Sequence, residues 1–97
     1  MEISSMQRRA FDDCFGEDYF TQDQFENSYC GEFDTLSDMQ EYMIEYWIDV
    51  MGVPDSLVPY IDEDYVIREL QITDYIYSDY QVGRHYERKY FLFLRNA

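Results

Sequence analysis

Between Ala10 and Ile67 this chain has no lysine, no arginine and no histidine. All seven of its cations lie outside that stretch: Arg8 and Arg9 before it, and Arg68, Arg84, Arg88, Lys89 and Arg95 after it. A surface so poor in positive charge repels DNA, RNA and anionic membranes, which excludes direct nucleic-acid binding and membrane-surface binding. Long apolar runs are missing as well. None approaches the ~18 residues of a transmembrane helix, and the opening MEISSMQRRAF has no apolar core of the kind a signal peptide carries. The expected location is therefore cytoplasmic. Cysteine is scarce: Cys14 and Cys30 form no metal-ligand pattern, and without an export signal they read as reduced, packed thiols. His85 is the one imidazole. It has no nucleophile elbow or oxyanion-type glycine pattern beside it, which leaves Ser/His/Asp or Cys/His catalysis without a basis. No repeat and no low-complexity linker divides the 97 residues, so they make one domain.

What the chain does contain is acid together with aromatic. Residues 10–67 hold sixteen carboxylates, and net charge is −14. The same stretch carries Phe15, Phe20, Phe25, Phe33, Tyr42, Tyr46, Trp47 and Tyr60. A solvated tail has the acids without the aromatics, so these acids are expected to coat a folded surface. That surface resists its own compaction, and something must offset the cost. Three readings compete with a dedicated partner. A catalytic carboxylate pair needs two environments that split the pKa values, and no distinctive partner residue marks one. Calcium needs an ordered loop. Asp12, Asp13, Glu17 and Asp18 around Gly16, and Asp62, Glu63 and Asp64, do not follow the EF-hand order, so no cofactor is expected. A merely solvated acidic surface is the third. Against these stands a matter of scale. Duplex DNA carries one charge per ~1.7 Å, so fourteen charges correspond to about 24 Å of duplex, close to the ~30 Å breadth of a compact domain of this length. The reading that follows is a non-catalytic DNA mimic whose partner is a basic protein surface.

The element pattern is mixed. Residues 1–9 read as a loose lead-in or a first turn. Apolar residues at Met6, Ala10, Phe11, Cys14 and Phe15 predict an amphipathic helix over Ser4–Phe15, ended by Gly16. A second helix is expected over Gln22–Tyr29, ended by Gly31. Thr35 followed by Asp38 approximates a capping box for a helix over Leu36–Met51, which Gly52 and Pro54 stop. Leu36, Met39, Met43, Tyr46, Trp47 and Val50 fall on one face of it. Asp38, Glu41, Glu45 and Asp49 fall on the other, at spacings of three, four and four, and form a ridge about 16 Å long with no i+4 cation. Pro54–Tyr60 reads as a helical turn, and Asp62 caps a helix over Glu63–Gln71. With residues 10–72 helical, the period then changes to that of a β-hairpin over residues 74–95. Tyr90, Leu92 and Leu94 share one hairpin face, Phe91 and Phe93 the other. Both faces look apolar, so one is expected to pack on the helices and the other to meet a second copy in a homodimer. The fold class is α+β: a small single domain of short acidic helices on a C-terminal antiparallel hairpin. The ridge Asp38, Glu41, Glu45, Asp49 is the first candidate contact surface, and Asp34, Asp62, Glu63 and Asp64 are the second.

Two segments also carry a family resemblance: FENSYCGEFDTLSDMQEYMIEYW (Phe25–Trp47) and VPDSLVPYIDEDYVIREL (Val53–Leu70), followed by a strand ending in FLFLR. An aromatic-x-x-x-Tyr-x-Gly-Glu-aromatic run (Phe25, Tyr29, Gly31, Glu32, Phe33) precedes a helix capped at Thr35. A Pro54–Leu57 turn, the segment Tyr60-Ile61-Asp62 and a helix end at Arg68-Glu69-Leu70 come next. In this order and spacing, residues 25–70 resemble the C-terminal part of ArdA-type antirestriction proteins. The resemblance implies an elongated, dimeric DNA mimic that occupies the DNA groove of a type I restriction–modification enzyme in the bacterial cytoplasm. This chain is much shorter than that family's members and lacks their N-terminal modules, so a shorter mimicked length or another target is expected. Anti-CRISPR proteins that block CRISPR–Cas complexes use the same acidic disguise. The reading from another class is an acidic regulatory or chaperone module for a basic nucleic-acid-binding protein.

Overall fold

Ser4 opens the first helix, α1 (Ser5–Phe15), with a reciprocal cap. Its hydroxyl accepts from the Gln7 N–H at 3.1 Å, and its own N–H donates to Gln7 Oε1 at 2.8 Å, so helix-terminal amides that would be orphaned are satisfied. The computed structural model describes residues 2–83 and 87–96. A 3-10 turn at Glu17–Tyr19 leads to α2 (Gln22–Ser28), capped by Thr21. In α3 (Leu36–Met51) the Thr35 hydroxyl accepts from the Asp38 N–H at 3.0 Å, which is one half of the box that the sequence suggests. Gly52 ends α3 in the left-handed conformation, at φ 64, where a Cβ would be strained. A second 3-10 turn, Asp55–Tyr60, and the Asp62 cap, which accepts from the Tyr65 N–H at 3.2 Å, introduce α4 (Glu63–Thr73).

Three antiparallel strands make one sheet in the order β1 (Tyr29–Phe33), β3 (Glu87–Leu94), β2 (Tyr75–Val82). The expected hairpin is there, with Tyr75 opposite Leu94 and Val82 opposite Glu87. Strand β1 corrects the expectation that residues 10–72 are helical and that α2 runs through Tyr29. The helix stops at Ser28, and the next five residues pair with β3 instead. A bulge breaks the register, because Tyr29 opposes Phe93 but Gly31 opposes Leu92. One extra residue on β1 spoils the period-two pattern by which a strand is recognised. Gly31 takes the bulge at φ 153, with the Phe33 ring 3.5 Å from where a Cβ would stand. The connection Arg84–Tyr86, which holds His85, lies outside the described residues.

Helices cover both faces of the sheet. On one face Phe91, Phe93 and Tyr80 pack with Ala10 and Phe11 of α1 and Phe25 of α2. On the other, Leu92 and Tyr75 pack with Met39, Met43 and Ile44 of α3 and Val66 and Leu70 of α4. The alternation of Tyr90, Leu92 and Leu94 against Phe91 and Phe93 is as the sequence predicts. Its consequence is not. The two apolar hairpin faces, whose Tyr75, Tyr77, Phe91 and Phe93 motivate the homodimer expectation, are both packed against the chain's own helices. Phe91, Phe93 and Tyr75 are buried, and Tyr77 is half-buried. The extents of 42 × 34 × 22 Å describe a flattened body, longer in one direction than the ~30 Å expected of a compact domain.

Candidate functional site

Helix α3 turns its core face inward through Met39, Met43 and Ile44. At 100° per residue, Asp38, Glu41, Glu45 and Asp49 then fall within an arc of about 80° on the opposite side, and all four are exposed. The apolar stripe is rotated slightly from its sequence-based position. Ile44 is buried, whereas Leu36, Tyr46 and Val50 are exposed, and Ile44 lies on the flank where α4 brings Ile67 beside it. Tyr46 still leans inward, edge-on to Tyr75 at 5.7 Å. The four ridge acids make no ion pair among the described residues.

Tertiary packing adds a second line of charge. Glu63 and Asp64, in the first turn of α4, line one groove of about 280 Å³ with Ser37, Gln40, Glu41, Ile44 and Ile67. Asp62, Glu63 and Asp64 also line the adjoining hollow with Val58, Pro59 and Ile61. The ridge and the Asp62–Asp64 set, chosen separately from the sequence, are thus neighbours on one helical layer, joined at Glu41. Sequence reasoning missed Ser37 and Gln40 in this groove, since only the packing of α3 on α4 brings them there. Asp62 spends part of its carboxylate on capping α4. Asp34 stands apart. It lines a different groove, with Val82, Glu87, Arg88 and Lys89, and is ion-paired and hydrogen-bonded to Lys89, which raises the lysine pKa. It does not belong with Asp62, Glu63 and Asp64.

The cations are used elsewhere. Arg8 pairs with Asp12 at 3.1 Å and lies over the Phe20 ring. Arg88 pairs with Asp79 at 2.7 Å. Arg9 lies over Tyr80, and Arg95 donates to the carbonyls of Gln71 and Tyr75 at 2.9 and 2.8 Å. Arg68 is exposed on α4 and makes no ion pair among the described residues. Exposed pairs of this kind contribute little to stability. What matters is their place: they neutralise Asp12, Asp79 and Asp34, and the α3–α4 face keeps its acids, with Arg68 the exposed cation on that layer among the described residues.

Other chemistry finds less support. Among the described residues no three His, Cys, Asp or Glu side chains converge on a metal position, and no helix is long and apolar enough to cross a membrane. Cys14 and Cys30 are both free thiols. Burial raises both, Cys30 to about 11, away from the thiolate that a nucleophile needs. A cleft of about 300 Å³ between α1, α2 and the end of β3, lined by Phe11, Phe15, Tyr19, Gln24, Ser28, Leu94 and Arg95, contains none of the acids singled out above. No protein-family model, no curated protein and no solved structure matches this chain. The ArdA-type resemblance therefore stands on motif order and spacing.

Proposed function

We propose that this protein is a non-catalytic DNA mimic that occupies the basic DNA-binding cleft of a bacterial defence enzyme, a type I restriction–modification enzyme or a CRISPR–Cas complex, and competes with DNA for it. One observation carries the reading: a line of exposed carboxylates on α3, without an ion pair among the described residues and flanked across a groove by Glu63 and Asp64, while Arg8, Arg88 and Lys89 pair with Asp12, Asp79 and Asp34 instead. The magnitudes agree. Asp38 to Asp49 spans about 16 Å of helix with four charges, where one DNA strand at 3.4 Å per charge places about five. The ridge thus resembles a single phosphate strand, and Asp62–Asp64 supplies charge beside it. Binding releases counterions from both surfaces and aligns carboxylates with lysines and arginines that otherwise meet phosphate.

A low-salt pull-down from bacterial lysate, read by mass spectrometry, identifies the target. Competition then tests the mechanism, with the purified enzyme, its labelled recognition duplex and this protein. Displacement of the duplex that weakens steeply with salt supports mimicry. A ternary complex of enzyme, duplex and inhibitor contradicts it and favours an acidic module that binds away from the DNA channel.

A further inference from the structure

The cleft of about 300 Å³ among α1, α2 and the end of β3 plays no part in the mimic reading. Its walls are apolar: Phe11 and Phe15, with ring centres 4.8 Å apart, together with Tyr19 and Leu94. Among the described residues that line it, Arg95 alone carries charge at neutral pH, in a chain of net charge −14. Glu17 and Asp18, beside Tyr19 in sequence, do not line it. Strand pairing carries on one residue past β3, since the Arg95 N–H donates to the Asp74 carbonyl at 2.8 Å. Arg95 therefore keeps the alternation of Phe91 and Phe93 and falls on the α1 side of the sheet. Its charge is felt there, where it lowers the Cys14 thiol pKa against the burial that raises it. The Nε donates to the carbonyls of Gln71 and Tyr75, which fixes the guanidinium. The two Nη groups have no partner among the described residues, and neither has the Gln24 side-chain amide. The Ser28 hydroxyl, by contrast, is spent on the Gln24 and Phe25 carbonyls.

We propose that this cleft binds a small aromatic carboxylate, a single ring on a short acidic arm, with the ring among Phe11, Phe15 and Tyr19 and the carboxylate on the Arg95 Nη groups. Ligand pockets combine apolar walls with a few polar groups that fix orientation, and both are present here. The volume is at the small end of the ~300–1,000 Å³ that such pockets span, so it takes one ring and not a nucleotide or a peptide. Charge complementarity selects the acid. An amine would meet Arg95 as a like charge, whereas a carboxylate accepts two parallel hydrogen bonds from a guanidinium that is already held in place. The walls select the ring, because aromatic side chains favour edge and offset contacts with another ring. Inorganic anions and short aliphatic acids satisfy Arg95 but leave those walls against water. Gln24 offers a further donor at the rim.

The test titrates the full chain with 3-phenylpropionate, with its neutral counterpart 3-phenylpropionamide and with acetate. Salt is held at ~0.1 M, where the Debye length is about 10 Å and the field of distant acids is screened. Amide chemical shifts read both affinity and place. 3-Phenylpropionate is expected to bind about tenfold tighter than the amide and well above acetate, with shifts centred on Gln24, Ser28, Leu94 and Arg95. Arg95→Gln should erase the preference for the acid and leave amide binding in place, and Arg95→Lys, which keeps the charge without the fork, should retain part of it. Tyr19→Ala, at a residue 71% exposed, should weaken both ring ligands to the same degree. Equal affinity of acid and amide for the parent overturns the site, a comparison that needs no variant to fold. No shift at millimolar 3-phenylpropionate overturns it too, as do shifts centred on α3 and α4 or a preference that survives Arg95→Gln.

Discussion

Phe93 is fully buried, with the rings of Phe11, Phe15, Phe25 and Tyr29 centred between 5.5 and 5.9 Å away. Truncation leaves a cavity lined by rigid rings that cannot collapse into it. Phe93→Ala should cost about 3–5 kcal/mol, a large share of the 5–15 kcal/mol typical of a small domain, and a denaturant titration would read it as a lower midpoint. At Tyr80, burial, with the hydrogen bond donated to Asp13, pushes the phenol up to about 12. Burial also raises Tyr29, Tyr42 and Tyr75. A tyrosine whose folded pKa exceeds its unfolded value near ~10 contributes stability that is complete below that value and is lost as pH rises through the folded one. The protein should therefore lose stability steadily between about pH 10 and 12, with tyrosinate absorbance appearing as it unfolds. Full tyrosine ionisation near pH 10 with the fold intact would contradict these environments.

Each α-helix begins at a side-chain cap, and two of the four caps were legible before the fold was. Asp62 and Thr35 stand where their residue types and the following pattern place them. Ser4 has the most complete cap, so Ser4→Ala should destabilise by about 1 kcal/mol, visible as a lower thermal midpoint; no change would mean that α1 is held by Phe11 and Ala10 alone. The amphipathic spacings of α1, α3 and α4 and the β2–β3 hairpin could be read from local pattern, since each repeats a period over eight or more residues. Strand β1 could not. Its five residues contain a bulge and a glycine, and the strand that completes it lies some sixty residues further along the chain. That missing strand is also why the hairpin's second face looked free. Once β1 extends the sheet beside β3, α1 and α2 on one side and α3 and α4 on the other have a surface wide enough to cover.

At the scale of the whole molecule the dominant quantity is the net charge of −14. The Debye length is about 30 Å at 0.01 M salt and about 10 Å at 0.1 M, against extents of 42 × 34 × 22 Å. At the lower salt most acids feel one another; at the higher, only near neighbours do. The exposed pairs Arg8–Asp12, Arg88–Asp79 and Lys89–Asp34 lose strength over the same range, but they are few and individually weak. Repulsion should dominate, and the melting temperature should rise as salt is added from very low ionic strength; a fall would mean that the ion pairs outweigh it. Of the candidate site, the ridge was legible because a helical period of 3.6 fixes one face. Its adjacency to Glu63 and Asp64 was not, since it depends on how α4 packs on α3, and neither was the loss of Asp34 to Lys89, 55 residues away in sequence. The most direct measurement reverses the ridge itself. Glu41 and Glu45 point away from the core, so Glu41→Lys with Glu45→Lys should fold, with a melting temperature equal to or above that of the parent. In a titration of target enzyme, labelled duplex and inhibitor, the variant should no longer displace DNA, while Glu45→Gln alone should change displacement little. A folded double-reversal variant that displaces the duplex as well as the parent does would contradict the assignment of this ridge as the mimic surface.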